Sequence, residues 1–394
     1  MQFDPREWPP MKEVPTASVG LDPFRIERLC ELIQRHIADG HYPGAQIAFA
    51  RYGQLAFARS FGNARLEPAG NPVEAANDTL FLLYSQSKVV TTLGLWILVD
   101  RGEASFNDRV SDHIPEFARN SKGDITIHQV VTHQAGFPNA KVPRGVWTDH
   151  EMLRRVVSEF ELEWWPGSRV HYHGATAHWT IAAIIEAITG CDYREFIRTE
   201  VLRPLGIYEI MLGVPDHEQE RCADMHVRKD GKLVAVRPAD PSSDDPSGWD
   251  NTPEFRAAGV PGGGGYATAS AMAALYQMLA NKGSLNGRRI VSTRMIEYAT
   301  RNHTGDRVDE NMGLPMHRGI GPHVRGLTFT IRGLGSIGHP TTFGHGGAGS
   351  SYSWADPSTG VSFSYLTNAR SDEPWHTHRL DRISNLAHSA IADF

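Results

Sequence analysis

Residues Phe81 to Gly102 read FLLYSQSKVVTTLGLWILVDRG, and this stretch decides how the rest of the chain is organised. From Ser87 to Val99 it is mostly apolar and holds no proline, and Gly102 follows as a residue suited to a left-handed cap, so the run reads as a buried helix. At its head stands Ser85-Gln86-Ser87-Lys88, the one S-x-x-K in the sequence. Residues three apart share a helix face, so Lys88 can bring its amine within reach of the Ser85 hydroxyl. A serine hydroxyl is a weak nucleophile at neutral pH until a base stands beside it. Lysine becomes such a base only where its surroundings lower its pKa. An N-cap serine followed by a solvated lysine gives the same four letters. The run Val89, Val90, Leu93, Leu95, Trp96, Ile97, Leu98 and Val99 speaks against a solvated lysine and for chemistry.

Composition narrows the class. The chain has 394 residues, 40% hydrophobic and 21% charged, which suits a soluble globular protein of two or three lobes. A net charge of −6 with scattered Lys and Arg argues against nucleic acid and against an anionic membrane surface. Cys30, Cys191 and Cys222 are too few and too dispersed for a disulfide scaffold or a zinc site. The opening MQFDPREWPPMKEVP lacks the character of a secretory signal, and no run of eighteen apolar residues occurs, so a cytoplasmic, reduced protein is expected.

Patterns along the chain change twice. An irregular arm is expected before about Val19, then an amphipathic helix over Leu21–Ala38 with Asp22-Pro23 as its start. Ala45–Arg51 and Gln54–Gly62, joined at Tyr52-Gly53, read as a β-hairpin. Ala104–Phe117 reads as a loop. Helices are expected at Ile125–His133, Thr148–Glu159, Ala175–Thr189, Tyr193–Leu202 and Ser270–Asn281. Lys229–Phe255, dense in Pro, Asp, Ser and Gly, reads as a long surface excursion. From Leu327 the period becomes two: LTFTIR, Ser351–Ala355 and Val361–Thr367, closed by a helix over His378–Ala392. Strands at both ends and helices between predict one sheet built from the two termini around a helical insertion. The expected division is 1–84 with 320–394 as an α/β domain and 85–319 as a mainly helical one, with the active site in the cleft between them.

Two further stretches carry candidate chemistry. In Gly167-Ser-Arg-Val-His-Tyr-His-Gly174, Tyr172 is a phenol that could shuttle a proton beside a lysine. His171-x-His173 has two of the ligands a metal needs but no acidic or thiol partner nearby, so no metal is expected. In Phe343-Gly-His-Gly-Gly-Ala-Gly-Ser350, glycines at a strand edge admit a ligand close to the backbone, and the Ala348 N–H could join that of Ser85 around an oxyanion. His345, Gly346, Gly347, Tyr84, Phe137 and His173 are candidates for the substrate pocket, with Trp164 and Trp165 as further aromatic walls. The run of glycines Gly262–Gly265 lacks the strand before it and the lysine after it that a phosphate loop needs, and reads as a turn that lets backbones approach closely.

Ser85-x-x-Lys88, the Tyr172 loop and His345-Gly346-Gly347, in this order, resemble the three motifs of the penicillin-recognising serine hydrolases: class C β-lactamases, DD-peptidases and family VIII carboxylesterases. ITIHQVVTHQAGFP, GVPGGGGYATASAMAALYQMLANKG and GHGGAGSSYSWADPSTGVSFSYLTN resemble further family segments, so the likeness spans roughly Gly44 to Asn368. The resemblance implies the β-lactamase/transpeptidase-like fold, an antiparallel sheet flanked by helices with an inserted helical domain. It implies Ser85 as the acylated nucleophile, Lys88 and Tyr172 sharing acid and base work, the Ser85 and Ala348 amides as the oxyanion hole, and no cofactor. Two departures stand out. The family's Y-x-N is absent, with Gly174 at the asparagine position, and His345 replaces the lysine of K-T-G. Both point to uncharged esters. The expected function is therefore a serine carboxylesterase acting on a small-molecule ester, closest to family VIII. The alternatives are a β-lactamase, a D-amino-acid peptidase or amidase, an acyltransferase, and a catalytically silent binding relative; a homo-oligomer is compatible with all of them.

Overall fold

Tyr52 and Gly53 both adopt positive φ, 55° and 76°, the pair of values a two-residue hairpin turn requires. They join Gly44–Arg51 (β2) to Gln54–Arg65 (β3), so the expected hairpin is present, one residue longer at its start and three at its end. The structure, a computed structural model, describes residues 10–67, 71–242, 247–328 and 333–392. The hairpin is the N-terminal half of an eight-stranded sheet. Its other strands are Lys12–Glu13 (β1), Val73–Glu74 (β4), His323–Val324 (β5), Phe343–Gly346 (β6), Tyr352–Asp356 (β7) and Val361–Thr367 (β8). The order is β1-β3-β2-β8-β7-β6-β5, with β4 on β3. All pairs are antiparallel except β1, which lies parallel to β3.

Side-chain alternation explains why β2 is buried along its whole length. Ala45, Ile47 and Phe49 enter a core shared with Pro23–Ala38 (α1) and the last helix, while Ala48 and Ala50 enter the larger core on the opposite face. The charged and polar faces of α1 stay outside, and Asp22 caps it by accepting from Phe24 N at 2.8 Å. Ser87–Asp100 (α2) and Thr176–Thr189 (α3) are buried on nearly all sides, as a run without polar periodicity demands, and pack on one another. Ala269–Ala280 (α4) lies within the expected helical insertion, yet it covers the sheet against β2, β7 and β8.

Other expectations shift on inspection. Lys229–Phe255 is not a structureless excursion: His226–Lys229 and Lys232–Ala235 form a hairpin around Asp230-Gly231, and Pro253–Ala258 is a helical turn. The hairpin was hidden because its strands are short, half-exposed and rich in Lys and Arg. Ala104–Phe117 contains helical turns at Val110–His113 and Pro115–Ala118. The arm before Val19 contributes β1 and a 3-10 turn, Thr16–Val19. Residues 265–267, just after the glycine turn, form a strand pairing with Phe81–Leu82 and with Ile210–Leu212. The last helix, Trp375–Ser389 (α5), begins three residues before the expected start, directly after Pro374. Of the expected strand LTFTIR, only Leu327 and Thr328 fall within the described residues, and neither is in a strand.

The two sequence ends meet at Asn368. This buried side chain accepts from Gly44 N at 2.8 Å and donates to Asn63 O at 3.1 Å and Ala64 O at 2.9 Å, locking the end of β8 to β2 and β3. Asn368→Ala would strand those groups in the core, so a loss of about 3 kcal/mol is expected. The check is the urea midpoint, with hydrolytic rate per folded molecule unchanged.

Candidate active site

The route to Ser85 starts at the short strand Phe81–Leu82, clamped on residues 265–267, with Leu83 N bonded to Gly265 O at 2.8 Å. Tyr84 then takes φ 45°, a sparsely populated conformation for a bulky residue, and turns the chain into a 3-10 turn, Tyr84–Gln86, that runs directly into α2. Ser85 is thus left half-buried at the head of a buried helix. Lys88 is one turn further and 0% exposed. Its Nζ donates to Gly174 O at 2.7 Å and Gly262 O at 2.6 Å, and lies 3.4 Å from Ser85 Oγ. The glycine turn matters here, since a Cβ on residue 262 would come within 3.1 Å of that nitrogen. Burial lowers the pKa of Lys88; the Tyr172 phenol opposes the shift and Arg318 adds to it. In the neutral amine two hydrogens satisfy the two carbonyls, and the third position, facing Ser85, holds the lone pair.

Tyr172 Oη lies 2.7 Å from Ser85 Oγ, so three polar tips from two distant segments form one chain. Two residues that the sequence reading missed hold Tyr172 in place. Asp309, fully buried, accepts from Tyr172 N at 3.2 Å and pairs with Arg318, whose Nε reaches it at 2.9 Å. The Arg318 guanidinium carbon sits 4.8 Å from the centre of the Tyr172 ring, and the His133 ring packs 4.9 Å away. No motif marks an arginine or an aspartate that finds its partner only through the fold.

Ser85 and Tyr172 open into a pocket of about 260 Å³. His345, Gly346, Gly347 and Ala348 line it, together with Arg318, Met312, Met316, Glu373 and Leu380 among others. The Gly347–Ser350 turn presses on the residues before Ser85, for a Cβ on Gly347 would meet Leu83 O at 2.8 Å and Tyr84 Cβ at 3.3 Å. Only glycine permits that approach. Among the described residues the Ser85, Ala348 and Gly349 amides have no backbone acceptor, whereas Gln86, Gly347 and Ser350 each bond one, and Ser85 and Ala348 both line the pocket. Two such N–H groups beside a hydroxyl are what a developing oxyanion requires.

Three candidates for the pocket stand elsewhere. His173 is a staple: its Nδ1 bonds His171 O at 2.6 Å, and its Nε2 accepts from Gly136 N and Phe137 N at 3.2 and 3.1 Å, leaving nothing for substrate or metal. Phe137 is a core residue packed on Phe117 and Phe160. The Tyr84 side chain is buried beside Asp250. Trp165 is 73% exposed and Trp164 packs on His171, so neither walls the pocket. One cluster with metal-ligand chemistry occurs among the described residues, His150 with Glu186 and Asp192, at the junction of three helices outside the pocket; its carboxylates already take His150, Arg194 and the Tyr193 amide.

Buried imidazoles surround this centre, and four of them are His133, His173, His178 and His345. Burial pushes all of them down, His173 and His345 to about 3, and the charge of Lys88 adds to the effect on His178 and His345. Each stays neutral when folded but binds a proton below about 6.5 when unfolded, so stability is complete above that pH and declines as pH falls toward 3. Urea midpoints should therefore drop between pH 7 and 5.5, by about 1.4 kcal/mol per pH unit for every extra proton taken up on unfolding. A flat profile would contradict neutral burial.

Comparison with known proteins agrees with the geometry. The pattern of the beta-lactamase family matches residues 29–387. The esterase/beta-lactamase LipL of Mycobacterium tuberculosis is 28% identical over 324 residues, 74% of this chain and 70% of that protein. A penicillin-binding protein homologue from Caulobacter crescentus superposes with a TM-score of 0.80 at 28% identity, over 94% of this chain and 99% of that one. A family VIII carboxylesterase does so with a TM-score of 0.77 at 26% identity, over 93% and 98%.

Proposed function

This chain belongs to the beta-lactamase family, a family of serine hydrolases, and on that premise we propose that it is a carboxylesterase that hydrolyses small uncharged esters through an acyl-enzyme on Ser85. The observation that carries the reading is the chain Tyr172 Oη–Ser85 Oγ–Lys88 Nζ, with separations of 2.7 and 3.4 Å. Ser85 Oγ attacks the ester carbonyl while its proton passes to the Lys88 and Tyr172 pair. The carbonyl oxygen gathers charge between the Ser85 and Ala348 amides. Lys88 is sealed between two carbonyls and lines no part of the pocket, whereas Tyr172 does, so the departing alkoxide takes its proton from Tyr172. Water then repeats the sequence on the acyl-enzyme, with the same groups activating it and restoring Ser85.

The choice of ester over lactam rests on charge and on position 174. Gly174 spends its carbonyl on Lys88 and has no side-chain amide to offer a substrate. His345 is held neutral, and Arg318 is already paired with Asp309. Among the described residues the carboxylate on the pocket wall is that of Glu373, which accepts from Thr377 Oγ1 at 2.8 Å, and it repels an anionic substrate. Met312, Met316 and Leu380 offer apolar surface to an acyl chain.

Ser85→Ala should lower the rate on p-nitrophenyl acetate at least about 10³-fold, and Tyr172→Phe about 10²- to 10⁴-fold. Turnover retained by Ser85→Ala would overturn the reading. Because the active base is neutral Lys88, whose pKa is depressed from 10.5, kcat/KM should fall as pH drops through that lowered value. Nitrocefin, carrying a carboxylate, should be turned over far more slowly than the acetyl ester in the same preparation.

A further inference from the structure

Arg379 on α5 is 2% exposed, and among the described residues no carboxylate pairs with it. A buried guanidinium without an anion is costly, and something must take its donors. Three aromatic rings, those of Trp375, Tyr42 and Tyr365, lie with their centres 5.0, 5.4 and 5.5 Å from its carbon and supply cation–π compensation. Nη1 reaches the Tyr365 hydroxyl at 3.5 Å, and the closer hydrogen bonds leave from the other terminal nitrogen. Nη2 donates to Gly349 O at 3.4 Å, to Ser350 O, and to His376 Nδ1 at 2.9 Å. Both carbonyls belong to the turn that carries the Ala348 amide, and His376 lines the same pocket.

We infer that Arg379 is the positioning residue of the oxyanion site: a planar fork anchored in the aromatic cage that fixes the Gly347–Ser350 turn from behind and so aims the Ala348 N–H at the position next to Ser85. The turn has little else to hold it. Gly347 N bonds Ser351 O at 2.8 Å, Ser350 N reaches Gly347 O only at 3.3 Å, and Ser371 N meets Gly349 O at 2.8 Å. Among the described residues Arg379 is the side chain that binds its carbonyls, through Nη2, while Nη1 in the same plane reaches Tyr365 Oη, a division that the single nitrogen of a lysine does not offer. This role presupposes the acyl-transfer reading of Ser85 and Ala348.

The test is Arg379→Lys and Arg379→Gln, each titrated for active sites with a fluorophosphonate probe and assayed on p-nitrophenyl acetate. Misplacing one oxyanion donor should lower kcat about ten- to a hundredfold with KM within about twofold, and slow probe labelling in step, because phosphonylation also builds charge on that oxygen. Arg379→Lys, which keeps a cation in the cage and therefore the fold, should remain impaired, and it decides the matter if Arg379→Gln is not recovered folded. Wild-type kcat per titrated site in Arg379→Lys, or a raised KM with kcat intact, overturns the role of Arg379 alone. A wild-type enzyme that forms no adduct on Ser85 removes the acyl-transfer reading itself.

Discussion

The burial of one lysine is the constraint on which the rest of the structure depends. An amine at the head of an apolar helix has no water to turn to, so its hydrogens must be met by protein. They are met by two backbone carbonyls, Gly174 O and Gly262 O, each contributed by a different excursion of the chain. Satisfying Lys88 therefore requires that the Tyr172 loop and the glycine turn close over α2. The same closure that removes water from the amine delivers the phenol of Tyr172 to Ser85. Lowered basicity and catalytic geometry are thus consequences of one packing event.

A second set of contacts fixes the other side of Ser85. The sheet brings the turn after β6 against Leu83 and Tyr84, and the absence of a side chain at residue 347 sets the distance. That arrangement needs the C-terminal strands to be in register with the N-terminal hairpin, which β8 achieves through its full pairing with β2 and through the Asn368 lock. Strain at Tyr84 is tolerated because both flanks are held, by residues 265–267 on one side and α2 on the other. The site is accordingly a property of elements far apart in sequence, held by rigid pairing rather than by a mobile loop.

Much of this was legible in the sequence where a local pattern carried the information. The apolar run after Ser85, the Tyr52-Gly53 turn and the alternation in Val361–Thr367 each depend on neighbours along the chain, and those elements stand where they were expected. What was hidden depends on partners across the fold. Arg318 and Asp309 look like surface residues until they are seen to neutralise one another beneath Tyr172. His173 was a candidate for the pocket, but the staple to Gly136 and Phe137 claims the histidine for the core. The hairpin around Asp230-Gly231 escaped notice because its strands bury little, so hydrophobic alternation, the usual signal, is missing.

The charges around the pocket follow a common logic. Lys88, Arg318 and Arg379 are all buried, and each spends its donors on the protein: carbonyls for Lys88, a carboxylate and a histidine for Arg318, a turn and an aromatic cage for Arg379. None is left with its charge directed at a ligand. The imidazole at position 345 is kept neutral by the same burial and by the nearby lysine. A site assembled this way uses cations to hold its own parts in place, and the field that reaches a bound molecule comes from aimed dipoles and from the outlying Glu373. Recognition of a negatively charged substrate would require freeing one of these cations from its structural partner, at the cost of the very geometry it maintains. On the proposed ester reading an uncharged acyl group asks for no such exchange, and this is the physical sense in which the two departures at 174 and 345 belong together.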